Sequence, residues 1–253
     1  MKIRFYKIGT APEAAGQYYS WAKDSGTPGA WAPGTPGLVG RATNGTQAAD
    51  AGCLALPTIA TTGVVGGMAA QASVLCFPAL YDILWVNSGI NVASIATQTI
   101  NSVTLPARDS SGTTDGKHCM VGILVTTATT NAGAILNTTL SYTNQDGVAG
   151  RTATMASFPI TAVAGTVVWF LLQAGDYGVR SIQSVTLGTL YVAGAISLII
   201  ARLIADVACS VANVPYKDTV EQTIYPGTCL VPIGLMNATT ATVLNGSIGV
   251  RVD

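Results

Sequence analysis

Charge is what this sequence has least of. Charged residues make up 9% of the 253-residue chain, against roughly 25% in an average soluble protein. Its 12 basic and 12 acidic side chains cancel. A protein held to nucleic acid by phosphate contacts needs a clustered basic excess, so nucleic acid is not an expected partner. The only basic cluster, Lys2, Arg4 and Lys7, reads as a solvated chain end.

Histidine occurs once, as His118, and any Ser-His-Asp or Cys-His arrangement must use it. Cys119 is adjacent, but neighbours on a strand point to opposite faces, so the two are badly placed to react together. Glu occurs twice, as Glu13 and Glu221. Paired carboxylates for glycoside hydrolysis would therefore come mainly from Asp residues, and nothing singles out Asp82, Asp176 or Asp206. Gly112 to His118 (GTTDGKH) is one residue short of a phosphate loop, and His stands where Ser or Thr would hold magnesium. Asp109 and Asp115 flank a Ser/Gly/Thr loop that offers oxygen ligands for calcium. It lacks the EF-hand pattern and its closing Glu, and an ordinary Asp/Gly turn is the expectation. No catalytic, cofactor-binding or metal-binding residue is expected, and the chain is not expected to be an enzyme.

The five cysteines, Cys53, Cys76, Cys119, Cys209 and Cys229, include no CxxC pair, so a zinc site is not supported. In a reducing cytoplasm they read as buried, inert thiols. Long apolar runs are missing too. The most apolar stretch, Leu190 to Ala201, is too short to span a bilayer, and Arg202 and Asp206 interrupt the residues beyond it. No apolar core of a secretory signal comes after Met1 to Lys7. A membrane is not an expected partner.

What the chain does have is small and β-branched residues broken by turn signals. Thr138 to Met155 is the clearest stretch. Leu140 and Tyr142 alternate with Thr139, Ser141 and Thr143, the period of a half-buried strand. Asn144 to Gly147 then breaks the pattern with Asp-Gly, a hairpin signal. Leu80 to Val86, Ile90 to Leu105, Cys119 to Thr127, Gly165 to Gln173, Val179 to Leu187 and Ala241 to Val250 read as further strand regions. Ala195 to Ala205 reads as a buried strand or a helix. Many short strands with turns every eight to twelve residues or so predict an all-β antiparallel sandwich, jelly-roll or Ig-like.

Residues 1–75 read differently. GTPGAWAPGTPG, from Gly26 to Gly37, carries GTPG twice, and Pro and Gly break both helix and ladder. This predicts an extended Pro/Gly-rich N-terminal arm and linker over 1–75, with the sandwich domain over 76–253. A free linker rarely carries as many aromatics as Tyr18, Tyr19, Trp21 and Trp31. They are expected to dock onto the chain's own domain or onto a neighbouring subunit. Residues 47–73 read as linker, or as a short helix near Gln47 to Ala55. The low charge suits a subunit whose surface neighbours cover.

Three segments, LYDILWVNSGINVASIATQTINS (80–102), TTATTNAGAILNTTLSYTNQDGVAGRTATM (126–155) and FPITAVAGTVVWFLLQAGDYGVRSIQSVTLGT (158–189), resemble a group of tailed-bacteriophage virion structural proteins. The resemblance covers roughly residues 80–205 and carries no functional residues across. It implies a head decoration (cement) protein, a homotrimer that binds the major capsid protein lattice on the outer surface of the head after assembly in the host cytoplasm. Trp21, Trp31, Tyr18 and Tyr19 would then be assembly contacts. Inter-subunit disulfides among Cys53, Cys76, Cys119, Cys209 and Cys229 would form after release into an oxidising medium. The alternative is a tail- or fibre-associated β module that contacts the host surface.

Overall fold

The structure, a computed structural model, describes residues 1–9 and 15–252. The described chain is all-β and antiparallel. It has no α-helix and two single-turn 3₁₀ segments, Trp21–Lys23 and Ala48–Asp50. In chain order the strands are β1 (Lys2–Ile8), β2 (Gln17–Ser20), β3 (Ser25–Thr27), β4 (Arg41–Ala42), β5 (Gly63–Ala72), β6 (Cys76–Val86), β7 (Gln98–Thr99), β8 (Cys119–Thr130) and β9 (Ile135–Asn144). They continue with β10 (Arg151–Phe158), β11 (Thr161–Ala162), β12 (Thr166–Trp169), β13 (Val179–Thr186), β14 (Ala193–Asp206), β15 (Tyr216–Asp218), β16 (Gln222–Ile224), β17 (Leu230–Met236) and β18 (Val243–Val252).

The chain forms two compact units. Unit 1 takes its residues from 1–33, 43–83 and 203–253, and unit 2 from 34–42 and 84–202. This division runs differently from an arm over 1–75 and a domain over 76–253. The N-terminal segments are built into the same unit as the C-terminal strands. Alternation explains it: in KIRFYKI, Ile3, Phe5 and Lys7 are buried while Lys2, Arg4, Tyr6 and Ile8 are exposed. A strand with one apolar face must be covered, and β1 is, lying between β18 and β3. The sheet of unit 1 runs β15-β5-β18-β1-β3, with β16 also on β5. Its buried face carries Val65, Met68, Ala70, Leu244, Ile248 and Val250. A second group in this unit pairs β17 with β2 on one side and β6 on the other.

In unit 2, the four-stranded sheet β10-β9-β13-β7 shares one core with β8 and its partners β11, β12 and β14. Val121, Ile123 and Val125 of β8 and Ile196, Leu198 and Ile200 of β14 join Leu140, Tyr142, Met155, Ile182 and Val185 in that core. Each fully buried side chain of this size contributes roughly 1.5–3 kcal/mol. The expected hairpin is present: Arg151 pairs with Tyr142 and Thr152 with Ser141, and Leu140 and Tyr142 are buried. Gly147 N–H closes the turn on Asn144 O at 3.1 Å, with φ at 80°, a conformation glycine adopts without steric cost.

Two regions differ from expectation, and a third resolves to one of its two readings. Ile90 to Leu105 yields only the two-residue β7. Here side chains capture the backbone instead, with Asn91 Oδ1 accepting from Ala93 N–H and Ser94 Oγ from Ala96 N–H, a competition that polar residues win outside ladders. Gln47 to Ala55 contains the single turn Ala48–Asp50, not a longer helix. Ala193–Asp206 is a strand, as its β-branched run favours.

Candidate interaction site

The residues expected to carry outside contacts are placed inward. Trp21 is 0%, Trp31 2% and Tyr19 2% exposed. Trp31 Nε1 donates to Asp50 Oδ1 at 2.9 Å, and Tyr19 Oη donates to the Asp24 carboxylate at 3.0 and 3.1 Å. Both carboxylates are themselves buried. A Cβ on Gly52 would lie 2.2 Å from Trp31 Cα, so the glycine lets the Pro/Gly segment seat its tryptophan. These aromatics hold the extended segment to its own unit, which corrects their reading as assembly contacts. Tyr18 alone of the four is half-buried.

The cysteines are likewise turned inward. Cys53 and Cys229 form a disulfide within the chain, and Cys76, Cys119 and Cys209 are buried thiols. Inter-subunit bridging is therefore corrected to one internal bond. Cys76 and Cys209 face each other across a bridge closed by two backbone hydrogen bonds, at 2.9 and 3.3 Å. The hydrogen bond between the two thiols lowers the Cys209 pKa against the opposing effect of burial.

The polar loop Arg108 to Lys117 organises itself. Asp109, fully buried, accepts from the N–H groups of Ser111, Thr113 and Lys117 and from Thr113 Oγ1, at 2.7–3.1 Å. Burial alone would raise its pKa, but these hydrogen bonds from Thr113, Lys117 and Ser111 outweigh it and hold the carboxyl below its usual range. An oxygen cage for calcium would have to displace them. His118 stands beside this loop, with Nδ1 2.8 Å from Ser110 Oγ and its ring 5.1 Å from that of Tyr177. Cys119 turns inward and bonds Lys117 O. Glu13 lies outside the described residues.

At the same end of unit 2, Asp176 gathers the hairpin. Arg151 grips it with Nε at 2.8 Å and Nη2 at 3.1 Å, Asn144 donates at 2.8 Å and Tyr142 Oη at 2.5 Å. Arg151, then the tyrosine and asparagine donors, pull the Asp176 pKa down to about 2 against burial. Burial first, then the Asp176 carboxylate, pushes Tyr142 up to about 12. Asp115 pairs with Lys117 at 3.2 Å and Arg180 at 3.6 Å. The loops carrying these groups are joined by the Lys117–Gly178 bridge and by the bond from Tyr177 N–H to Gln145 Oε1 at 3.2 Å.

The opposite end of unit 2 is the inverse. It is built from the β8–β9 connection, the β10–β11 connection and residues 187–193, with Thr161 and Ala193 both opposite Thr130 and Phe158 opposite Ile135. The runs 119–145, 152–175 and 181–201 contain no Asp, Glu, Lys or Arg. All charge in the span from 118 to 201 sits at Asp146, Arg151, Asp176 and Arg180, at the far end. At the uncharged end Leu136, Ile160 and Leu190 are 46–49% exposed and Val192 74%. Water gains nothing from this surface, and burying it against a partner is favourable. The signal is present in the sequence as charge-free runs, but which end of each strand they reach depends on pairing.

No protein-family model matches the chain, and no curated protein matches it. Among solved structures, similar chains come from infectious bursal disease virus. The VP2 subviral particle is matched at 10% identity and a TM-score of 0.20, over 100% of this chain and 80% of that one. Particles of the T=1 form are matched at 11% identity and 0.21, over 100% and 77%, and the Gt strain at 11% and 0.22, over 99% and 80%. The likeness of this chain to these viral capsid structures is weak.

Proposed function

We propose that this chain is a structural protein of a phage virion, a head decoration protein that binds the major capsid protein lattice and copies of itself, as a trimer, on the outer surface of the head. One observation carries the reading: the charge-free end of unit 2, with Leu136, Ile160, Leu190 and Val192 exposed. A protein whose strands steer every charge away from one end has that end covered in its working state. Assembly by symmetry repeats such a contact many times, so a modest contribution per copy suffices. The resemblance of residues 80–205 to tailed-phage virion proteins supplies the class of particle. The reading assigns the chain no reaction.

Quantitative peptide mass spectrometry on separated heads and tails of the source particle tests it. Copy numbers comparable to the major capsid protein, tracking with heads, are expected. A few copies tracking with tails would replace this reading with a host-contacting tail module, and absence from both would end it. The charge-free end has its own test: Leu190→Asp combined with Val192→Asp should leave the circular dichroism spectrum unchanged while abolishing incorporation into particles. Normal incorporation of this variant would remove the end from the interface.

A further inference from the structure

The zero net charge conceals a basic surface. Lys2 and Arg4 lie on β1, Lys217 on β15 and Arg251 on β18, and all four are exposed. Register places them on one face of the unit 1 sheet. Arg4 is opposite Ser247, Ser247 opposite Ala69, and Ala69 opposite Lys217; Lys2 is opposite Gly249. Lys2 and Arg4 are about 7 Å apart along the strand, and Arg4 and Lys217 about 14 Å apart across three strand spacings. Lys2, Arg4 and Lys217 make no ion pair with an acid among the described residues. Six of the chain's twelve acids are engaged elsewhere: Asp24, Asp50, Asp82 and Asp109 are buried, and Asp115 and Asp176 are paired; Asp218, exposed next to Lys217 on β15, accepts from Thr219 N–H.

Between the cations runs a shallow groove. One cleft, about 290 Å³, lies between Lys2 and Lys217 on a floor of Gly66, Gly67, Ala69 and Gly249. A second, about 190 Å³, continues beside Arg4, sharing Ala69 and Ser247. A Cβ on Gly66 or Gly249 would meet no atom within 4 Å, so the space above the floor is open to another backbone.

We propose that this groove binds an extended acidic segment of another protein, with carboxylates meeting Lys2, Arg4 and Lys217 and small side chains lying on the glycine floor. Charge complementarity selects an anion, and the floor selects a polypeptide over a nucleic acid. Single-stranded nucleic acid is held by a cationic track together with aromatic platforms for successive bases, and here Tyr6 is the one exposed ring in line with the lysine and arginine on β1. The inference goes beyond the virion reading and is tested without any particle.

The full chain is titrated against a fluorescein-labelled peptide of alternating Glu and Ala, and against labelled oligo(dT) of equal length, by fluorescence anisotropy. The peptide should bind, weaken as salt rises towards about 0.15 M, and bind roughly tenfold or more weakly to Lys2→Glu/Arg4→Glu/Lys217→Glu. Lys217→Glu alone, on the short outer strand, serves where the triple variant does not keep the wild-type melting temperature. Failure of the peptide to bind, or equal binding to the variants, overturns the proposal. Tighter binding of oligo(dT) than of the peptide overturns it in favour of nucleic acid.

Discussion

The ammonium of Lys7 is held on the inner face of β1, 0% exposed, where it donates to Gly29 O at 3.0 Å and Asp24 O at 3.3 Å. Burial lowers its pKa to about 8, with Asp24 opposing. The unfolded chain, with its lysine at the ordinary 10.5, therefore holds more protons than the folded one between those values. Stability gains from this group as pH rises through that window. Urea unfolding from about pH 8 to pH 10 should show that upward slope in the wild type and lack it in Lys7→Met. Asp176 gives a slope of the same sign at the acid end of the scale, because there too the unfolded chain holds more protons. Its carboxyl is held down at about 2 from 3.8, so its contribution is present above the ordinary value and lost as pH falls through about 2. Asp176→Asn should flatten the acid limb between about pH 4 and pH 2. Asp176→Ala at neutral pH strands Tyr142, Asn144 and Arg151 and should cost about 1–3 kcal/mol in urea titration.

At the scale of elements, β1 is the test of how the N-terminus is used. Removing residues 1–9 should cost unit 1 its cooperative unfolding transition, read by near-ultraviolet circular dichroism, because β3 loses its partner and β18 one of its two. An accessory arm would come away without that loss. The sequence signals β1 only in part, since Lys2 to Phe5 alternate polar and apolar but Lys7 then takes a buried position and Ile8 an exposed one, and Lys2, Arg4 and Lys7 give it the look of a solvated end. The β9–β10 hairpin is legible down to its turn, since period, Thr content and Asp-Gly all agree there. β5 is not, because GVVGGMAAQA is nearly all small residues whose burial is decided by the strands beside them. The basic groove is illegible for a related reason. Its cations lie at positions 2, 4, 217 and 251, and only strand register makes them neighbours. Beyond β3 the Pro/Gly segment does lack regular structure, as its composition dictates, yet the partner of Trp31, Asp50, is nineteen residues away and has no local signature.

At the scale of the whole molecule, the Cys53–Cys229 disulfide spans a sequence separation of 176 and encloses the whole of residues 84–202, the bulk of unit 2. Closing so long a loop removes freedom from the unfolded chain, for a typical stabilisation of about 2–4 kcal/mol. Cys53→Ser should lower the unfolding midpoint of oxidised protein accordingly. Non-reducing gels of the wild type should show a monomer band with altered mobility and no ladder of linked chains. A covalent multimer on such gels would restore bridging between subunits. Bipolar charge in unit 2 and a cationic face on unit 1 also explain how a chain of zero net charge can hold distinct surfaces: the sum vanishes while its parts are kept in separate places.

The pairing of Lys2 with Gly249 has a consequence for biosynthesis. A ribosome emits about 5–20 residues per second, so β1 emerges roughly 10–50 s before β18, the strand that pairs with it along its whole length. Throughout that interval Ile3 and Phe5 have no permanent neighbour, while residues 84–202 can already close their own core. The nascent chain thus matures from the middle outwards, and its first strand is among the last to be seated. A ribosome-bound chaperone that shields such a strand would matter more for this protein's yield than for that of a protein whose first strand pairs with its second.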